Sequence, residues 1–240
     1  MHHDSNPFRG IAATALLLVM FALQACDAGE GVRPAIVKSA LVIIDLQYDF
    51  MPGGALPAAG GDEIVPLINR LQGSFDLVVA TQDWHPAGHG SFASAHPGHE
   101  VGDNIEFNGL SQQLWPDHAL QGTRGAGLVE GLNTSRIAQV FSKGMNPAID
   151  SYSGFFDNGR QGDTGLHDYL MRAGVTEVYL VGLALDFCVK YSALDAQRLG
   201  YQTTVIVDAT RAVNLHPGDD DAAVRELESN GIRVIKSKKL

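Results

Sequence analysis

Apolar runs that alternate with helical patterns constrain the fold of this chain most strongly. The first run, residues 40–44, has no polar side chain, as expected of a strand covered on both faces. Further predicted strands lie at residues 75–80, 137–141, 175–181, 203–207 and 232–235, and predicted helices at 62–71, 165–173, 187–199 and 219–229. Such alternation is typical of right-handed βαβ units. We predict an α/β fold of three layers, a mainly parallel six-stranded sheet with helices on both faces.

The chain of 240 residues is long enough for one α/β domain. We place that domain at residues 39–240, after an expected linker at residues 27–38. The first 26 residues are different in kind. Arg9 precedes an apolar run at residues 11–23, which is the pattern of an export signal and is short for a helix that spans a bilayer.

The end of this segment, Leu23-Gln24-Ala25-Cys26, resembles the lipobox of bacterial lipoproteins, whose cysteine is lipidated. It predicts an exported, periplasmic lipoprotein that meets the membrane only through a lipid anchor at Cys26. Cleavage at a nearby small residue, for example after Ala28, remains an alternative and would give a soluble secreted protein. An apolar helix of a cytosolic protein fits less well, because residues 11–23 have no polar face.

Charge narrows the range of partners. The net charge is −10, and the only basic run is Lys236, Lys238 and Lys239 at the C-terminus. Because no other cluster of basic residues is available to displace phosphate counterions, nucleic acid is not an expected partner. A small neutral or cationic substrate remains compatible, and the sequence leaves a homo-oligomer open.

Five reactive or charged side chains directly or shortly follow predicted strands. Ligands of parallel sheets bind beyond the carboxyl ends of the strands. Five such side chains at that edge therefore predict a functional site, although loops are polar in any case. They are Asp45, Asp83, Lys143, Cys188 and Asp208.

Cys188 is predicted to be a nucleophile. It lies at the start of a predicted helix, where free N–H groups and the helix dipole stabilise a thiolate and can hold an oxyanion. Asp45 can take the thiol proton, and Lys143 can hold the resulting charge and restrain Asp45. Taken singly, the three residues have ordinary explanations as a buried small side chain, a turn residue and a solvated cation.

A metal site is predicted from Asp83-Trp84-His85, which places two ligand-type side chains on one side of a strand end. His118 adds a second imidazole from the long insert at residues 85–136, which shows little regular pattern. One carboxylate and two imidazoles leave coordination positions of a metal open, and such a set suits a divalent ion. Zinc is expected, with manganese or iron as alternatives. His89 and His99 are further candidates, and histidines that never meet are the alternative.

Seven stretches, in order from residue 39 to the C-terminus, carry a family resemblance. They read VIIDLQYDF at residues 42–50, TQDWHP at 81–86, HGSFAS at 89–94, LWPDH at 114–118, KG at 143–144, DSYSGFFD at 150–157 and GLALDFCV at 182–189. The first and last resemble the isochorismatase-like cysteine hydrolases, and the DWHP and WPDH elements resemble the bacterial nicotinamidases among them. The chain departs from that pattern at Ala119, where cysteine is usual, and at Leu185, where threonine is frequent.

The resemblance implies roles for individual residues. The catalytic triad would be Asp45, Lys143 and Cys188, and the metal ligands would be Asp83, His85 and His118. The backbone amides of Ala184 and Cys188 would form an oxyanion hole, with a cis bond between Leu183 and Ala184. Phe50 and Trp115 would sandwich a pyridine ring, with plain core packing as the alternative for each aromatic.

The activity implied by the resemblance is hydrolysis of nicotinamide to nicotinate and ammonia, and of pyrazinamide as well. The reaction would pass through a thioester, with a divalent metal on the pyridine nitrogen. Two other functions stay open. An amidase of the same superfamily would act on another small carbamoyl or ureido amide without a metal site. A non-catalytic lipoprotein that binds a similar ligand or a metal would be expected to lack a triad member, and none is missing.

Overall fold

The structure, a computed structural model, describes residues 38–240. The predicted export signal at residues 1–26, Cys26 included, and the predicted linker up to residue 37 lie outside the described residues. Within residues 38–240, no helix is long and apolar enough to cross a membrane.

In residues 38–240, eight strands form two sheets. They are β1 (Ser39–Ile44), β2 (Leu77–Asp83), β3 (Asn104–Phe107), β4 (Leu110–Gln113), β5 (Ile137–Lys143), β6 (Glu177–Leu183), β7 (Gln202–Arg211) and β8 (Arg233–Ile235). Six of them form one sheet in the order β5-β2-β1-β6-β7-β8, and all of its pairings are parallel. The predicted six-stranded parallel sheet is therefore confirmed.

Helices cover both faces of this sheet. They are α1 (Val65–Leu71), α2 (Leu166–Arg172), α3 (Lys190–Arg198) and α4 (Asp219–Ser229). Successive side chains of β1 point to opposite faces, so Val42 joins a core cluster with residues of α2, α3 and α4. Ile43 joins the other cluster with residues of α1. The burial of both faces explains why residues 40–44 are entirely apolar.

The long insert contains a hairpin that the sequence interpretation missed. Strands β3 and β4 pair antiparallel around Asn108 and Gly109, whose φ angles are 51° and 80°. Two residues with positive φ form the turn that best matches the twist of a hairpin, and Asn-Gly is its commonest sequence. The signal was therefore present at residues 108–109. Beyond the hairpin, the chain continues directly into the LWPDH stretch.

Candidate active site

Four of the five predicted edge residues meet at the carboxyl end of the sheet. Asp83 and Lys143 are the last residues of β2 and β5 and are paired in register. Asp45 directly follows β1, and Cys188 lies shortly after β6. Single oxygen atoms of Asp45 and Asp83 and the sulfur of Cys188 lie within 4.8 Å of one another.

Asp208 does not join them, and that part of the prediction is wrong. Strand β7 continues past it to Arg211. Its carboxylate accepts two hydrogen bonds of 2.7 Å from the backbone N–H and the hydroxyl of Ser237. Asp208 thus joins the end of the chain to β7 and has a structural role.

Lys143 lies at the centre of the cluster. Its Nζ is 3.0 Å from Asp45 Oδ2, 2.6 Å from Asp83 Oδ1 and 3.5 Å from Cys188 Sγ. It also donates to the carbonyl of Ser151 at 2.9 Å. Burial disfavours the ammonium, but Asp45 and then Asp83 outweigh it and hold the pKa of Lys143 well above its ordinary value. Lys143 is therefore a permanent cation.

Asp45 is held so that one carboxylate oxygen remains available. Its Oδ1 accepts a hydrogen bond of 2.6 Å from the hydroxyl of Thr81. Its Oδ2 forms an ion pair with Lys143 but receives no aligned hydrogen bond. Burial raises the pKa of Asp45 above its ordinary value, against the opposing attraction of Lys143. A buried carboxylate whose pKa is raised, and whose Oδ2 receives no aligned hydrogen bond, is suited to accept a proton.

Cys188 lies in a π-helical turn and not at the start of a regular α-helix. The predicted helix at residues 187–199 is in fact a π-helical turn, Leu185–Val189, followed by α3. The N–H groups of Phe187 and Val189 both donate to the carbonyl of Ala184. The peptide bond between Leu183 and Ala184 is cis, as the resemblance implies. Burial raises the pKa of the Cys188 thiol well above its ordinary value, although Lys143 acts in the opposite direction.

Gly182 brings this turn close to β1. It has φ of 108°, and a Cβ atom there would lie 2.1 Å from the carbonyl oxygen of Ile44. Only glycine fits at this position. The close approach sets the end of β6 directly beside Asp45, the residue that follows Ile44.

The three predicted metal ligands also meet. His85 Nε2 and His118 Nε2 lie 3.6 Å and 3.8 Å from Asp83 Oδ2. Their Nδ1 atoms lie 2.8 Å from the carbonyls of Gly144 and Pro116. Because a carbonyl only accepts, each Nδ1 carries a proton and Nε2 is the nitrogen of each neutral ring that can bind a metal.

The protonation states of Asp83 and His118 fit a metal. Burial disfavours the charged ring of His85, but Asp83 outweighs it and raises the pKa of His85 above its ordinary value, so a metal competes with a proton at that ring. Burial and then the neighbouring His85 lower the pKa of His118 to about 4. Burial alone would raise the pKa of Asp83, but Lys143 and then His85 outweigh it and keep that pKa below its ordinary value. A carboxylate and two imidazoles, all buried, are ligands of a divalent transition metal.

The two additional histidine candidates are engaged elsewhere. His89 Nε2 donates to the carbonyl of Asn146 at 2.9 Å, and its Nδ1 accepts from the hydroxyl of Ser91 at 2.7 Å. His99 Nδ1 lies 3.2 Å from Asp103 Oδ2 among exposed side chains. His89 thus has no ring nitrogen free for the ion, and His99 does not belong to the buried group formed by Asp83, His85 and His118.

A pocket opens onto both the Cys188 cluster and the metal-ligand set. Its wall includes Phe50 and Trp115, as the resemblance implies. It also includes three aromatic or charged residues that the sequence interpretation missed, although all three belong to stretches quoted above. The lining residues are Phe50, Leu56, Asp83, Trp115, His118, Asp150, Tyr152, Ala184, Phe187, Cys188 and Val213.

Two of the missed residues extend the aromatic wall. The ring of Phe187 packs edge-on against Trp115, with centroids 4.8 Å apart. The indole N–H of Trp115 donates to the Tyr152 hydroxyl at 3.2 Å. The pocket is therefore shaped for a flat ring, with a thiol and a metal-ligand set at its base. The third missed residue, Asp150, is a buried carboxylate.

A thiol beside a carboxylate and a buried ammonium, at the carboxyl edge of a parallel sheet, defines the class of cysteine hydrolases with an α/β fold. Residues 39–239 match the isochorismatase domain. The chain belongs to the isochorismatase-like hydrolases, and to the nicotinamidases among them.

Known nicotinamidases and pyrazinamidases are similar in sequence to most of this chain. The nicotinamidase of Escherichia coli (strain K12) is 48% identical over 196 residues, which cover 80% of this chain and 92% of that protein. The structure of a nicotinamidase and pyrazinamidase from Acinetobacter baumanii shares 44% identity with a TM-score of 0.82, covering 84% of this chain and 97% of that one. The pyrazinamidase of Pyrococcus horikoshii, solved in complex with zinc, shares 35% identity with a TM-score of 0.68, covering 83% and 99%.

Proposed function

We propose that this protein hydrolyses nicotinamide to nicotinate and ammonia, and that it also accepts pyrazinamide. The observation that carries the proposal is the meeting of Cys188, its two charged partners and a buried Asp-His-His set around one aromatic pocket. The activities named for the relatives support the same substrates.

Acylation begins at the thiol. Asp45 Oδ2 takes the proton of Cys188, and Lys143 stabilises the thiolate through their 3.5 Å contact. The sulfur attacks the carboxamide carbon, so that a C–S bond forms and the carbonyl oxygen becomes an oxyanion. The backbone N–H groups of Ala184 and Cys188 hold that oxyanion, at about 3 kcal/mol for each donor. Asp45 returns its proton to the amide nitrogen, the C–N bond breaks, and ammonia leaves.

Deacylation uses the same residues, with water as the nucleophile. Asp45, again ionised, takes a proton from a water molecule, and the hydroxide attacks the thioester carbon. The same two amides hold the second oxyanion. The C–S bond breaks, the sulfur regains the proton held by Asp45, and the product leaves as the acid, which gives its proton to water and becomes nicotinate. Lys143 retains its charge throughout, because its pKa lies well above the ordinary value.

We propose that Asp83, His85 and His118 hold a divalent metal, with zinc expected and manganese or iron as alternatives. When bound, the metal supplies a Lewis acid that binds the ring nitrogen of the substrate. Phe50 and Trp115 enclose the ring. The zinc complex of the Pyrococcus horikoshii pyrazinamidase supports this choice of metal.

The test is ammonia release from nicotinamide by the purified full chain, with and without chelator, followed by the addition of Zn²⁺, Mn²⁺ or Fe²⁺. The expected result is turnover that the chelator abolishes and a metal restores. Small carbamoyl and ureido amides are assayed in parallel to test the alternative that the protein is another amidase of the superfamily. Absence of turnover of nicotinamide with every metal would contradict the proposal.

We also propose that residues 1–26 are an export signal and that Cys26 carries a lipid anchor, which makes the protein a periplasmic lipoprotein. The lipobox-like end at residues 23–26 supports this. Labelling with radioactive palmitate in a bacterial host should mark the protein, and Cys26→Ser should remove the label. Labelling unaffected by Cys26→Ser, or protein found only in the cytoplasm, would contradict it.

A further inference from the structure

Asp150 is a buried carboxylate that neither the triad nor the metal-ligand set uses. It is 4% exposed and lines the same pocket as Asp83 and His118. One of its oxygens lies within 4.8 Å of ring nitrogens of His85 and His89. We propose that Asp150 is a further residue of the metal site, and that its charge retains the divalent cation held by the three ligands. This rests on the metal site in the proposed function.

The hydrogen-bond partners of Asp150 leave its charge uncompensated. Its Oδ2 accepts from the side-chain amide of Gln112 at 2.9 Å, and its Oδ1 accepts from the backbone N–H of Ser151 at 2.7 Å. Both donors are neutral. Among the ion pairs of residues 38–240, none includes Asp150. A buried carboxylate without a cation is costly, so a cation is expected nearby.

The charges of the whole site point to a divalent ion. Asp45, Asp83 and Asp150 are three buried carboxylates, and Lys143 is the one ammonium among residues 38–240 that is bound to any of them. With His85 and His118 neutral, as metal ligands must be, the difference is two negative charges, which one divalent cation neutralises. Lys143 cannot neutralise Asp150 as well, because its Nζ is already committed to Asp45, Asp83 and the carbonyl of Ser151.

Asp150 has acceptor capacity that its neighbour His89 lacks. Each carboxylate oxygen has two lone-pair positions, and each oxygen of Asp150 accepts one hydrogen bond from the protein. Both ring nitrogens of His89 are already in hydrogen bonds. Asp150 is therefore the residue of this group that can receive a hydrogen bond from a hydrated cation.

The experiment compares zinc binding by the full chain, Asp150→Asn and Asp117→Asn. Each protein is stripped with chelator and titrated with Zn²⁺ against a chromogenic competitor. Asp117 is the matched control: it precedes His118, but its exposed carboxylate accepts from the Ser94 hydroxyl. We expect Asp150→Asn to weaken zinc binding about 10- to 100-fold with a stoichiometry of one, as for other residues that support metal ligands. Asp117→Asn should stay within about twofold.

Melting without metal separates this role from a structural one. If Asp150 serves the cation, the metal-free Asp150→Asn protein should melt no lower than the metal-free wild type, and zinc should raise its melting temperature less. Asp150→Ser is measured in parallel. Unchanged zinc affinity, or a metal-free form that fails to fold in both variants, would overturn the proposal. Wild-type protein that binds zinc without releasing ammonia would contradict the proposed function and leave this inference standing.

Discussion

The hydroxyl of Thr81 donates to Asp45 Oδ1 at 2.6 Å, and the same hydroxyl oxygen accepts from the backbone N–H of Asp45 at 3.2 Å. Both residues are fully buried. The two contacts fix the carboxylate plane, so that Oδ2 is the oxygen left for Lys143 and the thiol. Thr81 thus acts as a positioning residue for the proposed base.

Thr81→Val should lower kcat by about 10- to 100-fold, because a hydrogen bond to a charged group contributes about 1.5–3 kcal/mol. KM should change less. The Thr81 hydrogen bond lowers the pKa of Asp45, so its loss should raise that pKa. A base with a higher pKa stays protonated up to a higher pH, and the acid limb of kcat/KM should therefore move upward. Thr81→Ser should restore both values, and an unmoved acid limb would contradict this role.

Cys188→Ala should abolish ammonia release, by a factor of about 10⁴ or more, since the covalent route is lost. Bound zinc should be unchanged, because the proposed ligands remain in place. Steady-state ammonia release and metal analysis of the same sample check both statements. Tyr191→Phe, at a partly exposed ring outside the pocket lining, is the control and should keep its activity. Residual turnover by Cys188→Ala at the wild-type rate would exclude the thioester route.

Gly144→Ala should weaken zinc binding about tenfold or more. A Cβ atom at Gly144 would lie 2.4 Å from Cε1 of His85, so the imidazole whose Nδ1 is held by the Gly144 carbonyl must move. Gly88→Ala is the matched control, since Gly88 also has positive φ, 73° against 63°, but no atom within 4 Å. Competition titration with Zn²⁺ measures both variants. If Gly88→Ala weakened zinc binding as much as Gly144→Ala, the contact with His85 would not be the cause. Unchanged binding by Gly144→Ala would also contradict the prediction.

Asp76→Asn should remove part of the pH dependence of stability. The exposed Asp76 carboxylate accepts from the backbone N–H and the hydroxyl of Ser39, and these bonds hold its pKa below the ordinary 3.8. Its stabilising contribution is therefore full above about pH 4 and is lost as pH falls through the lowered pKa. Melting temperatures from pH 2 to 7 should differ between wild type and variant at neutral pH and converge in acid. Asp62→Asn, at another exposed carboxylate, is the control for the loss of one surface charge.

The fold was predictable because a strand that is buried on both faces is apolar at every position, and this pattern is visible in the sequence. Residues 40–44 are apolar throughout, and residues 219–229 were predicted as the helix that α4 forms. Strand β7 was predicted only to residue 207, because the polar Asp208 masks its continuation to Arg211. A polar side chain inside a strand and one in a loop after it look the same in sequence.

The site was less predictable where distant contacts determine it. Asp45, Asp83, Lys143 and Cys188 were found because strand ends share one edge. Tyr152 and Asp150 follow β5 in a segment without helix or strand, so no periodicity shows where they point. That segment is held by Lys143, which donates to the Ser151 carbonyl, and by the Ser192 hydroxyl, which accepts from the backbone N–H of Gly154. Such contacts join residues 8 and 38 positions apart.

The burial of Cys188 has a consequence for the lifetime of the enzyme. Alkylating agents and peroxides react with the thiolate form of cysteine, and a thiol whose pKa lies well above its ordinary value is uncharged at rest. The residue as a whole is also only 8% exposed. Between turnovers, the protein should therefore resist iodoacetamide and hydrogen peroxide. Its vulnerable state would be confined to the moments in which Asp45 holds the proton.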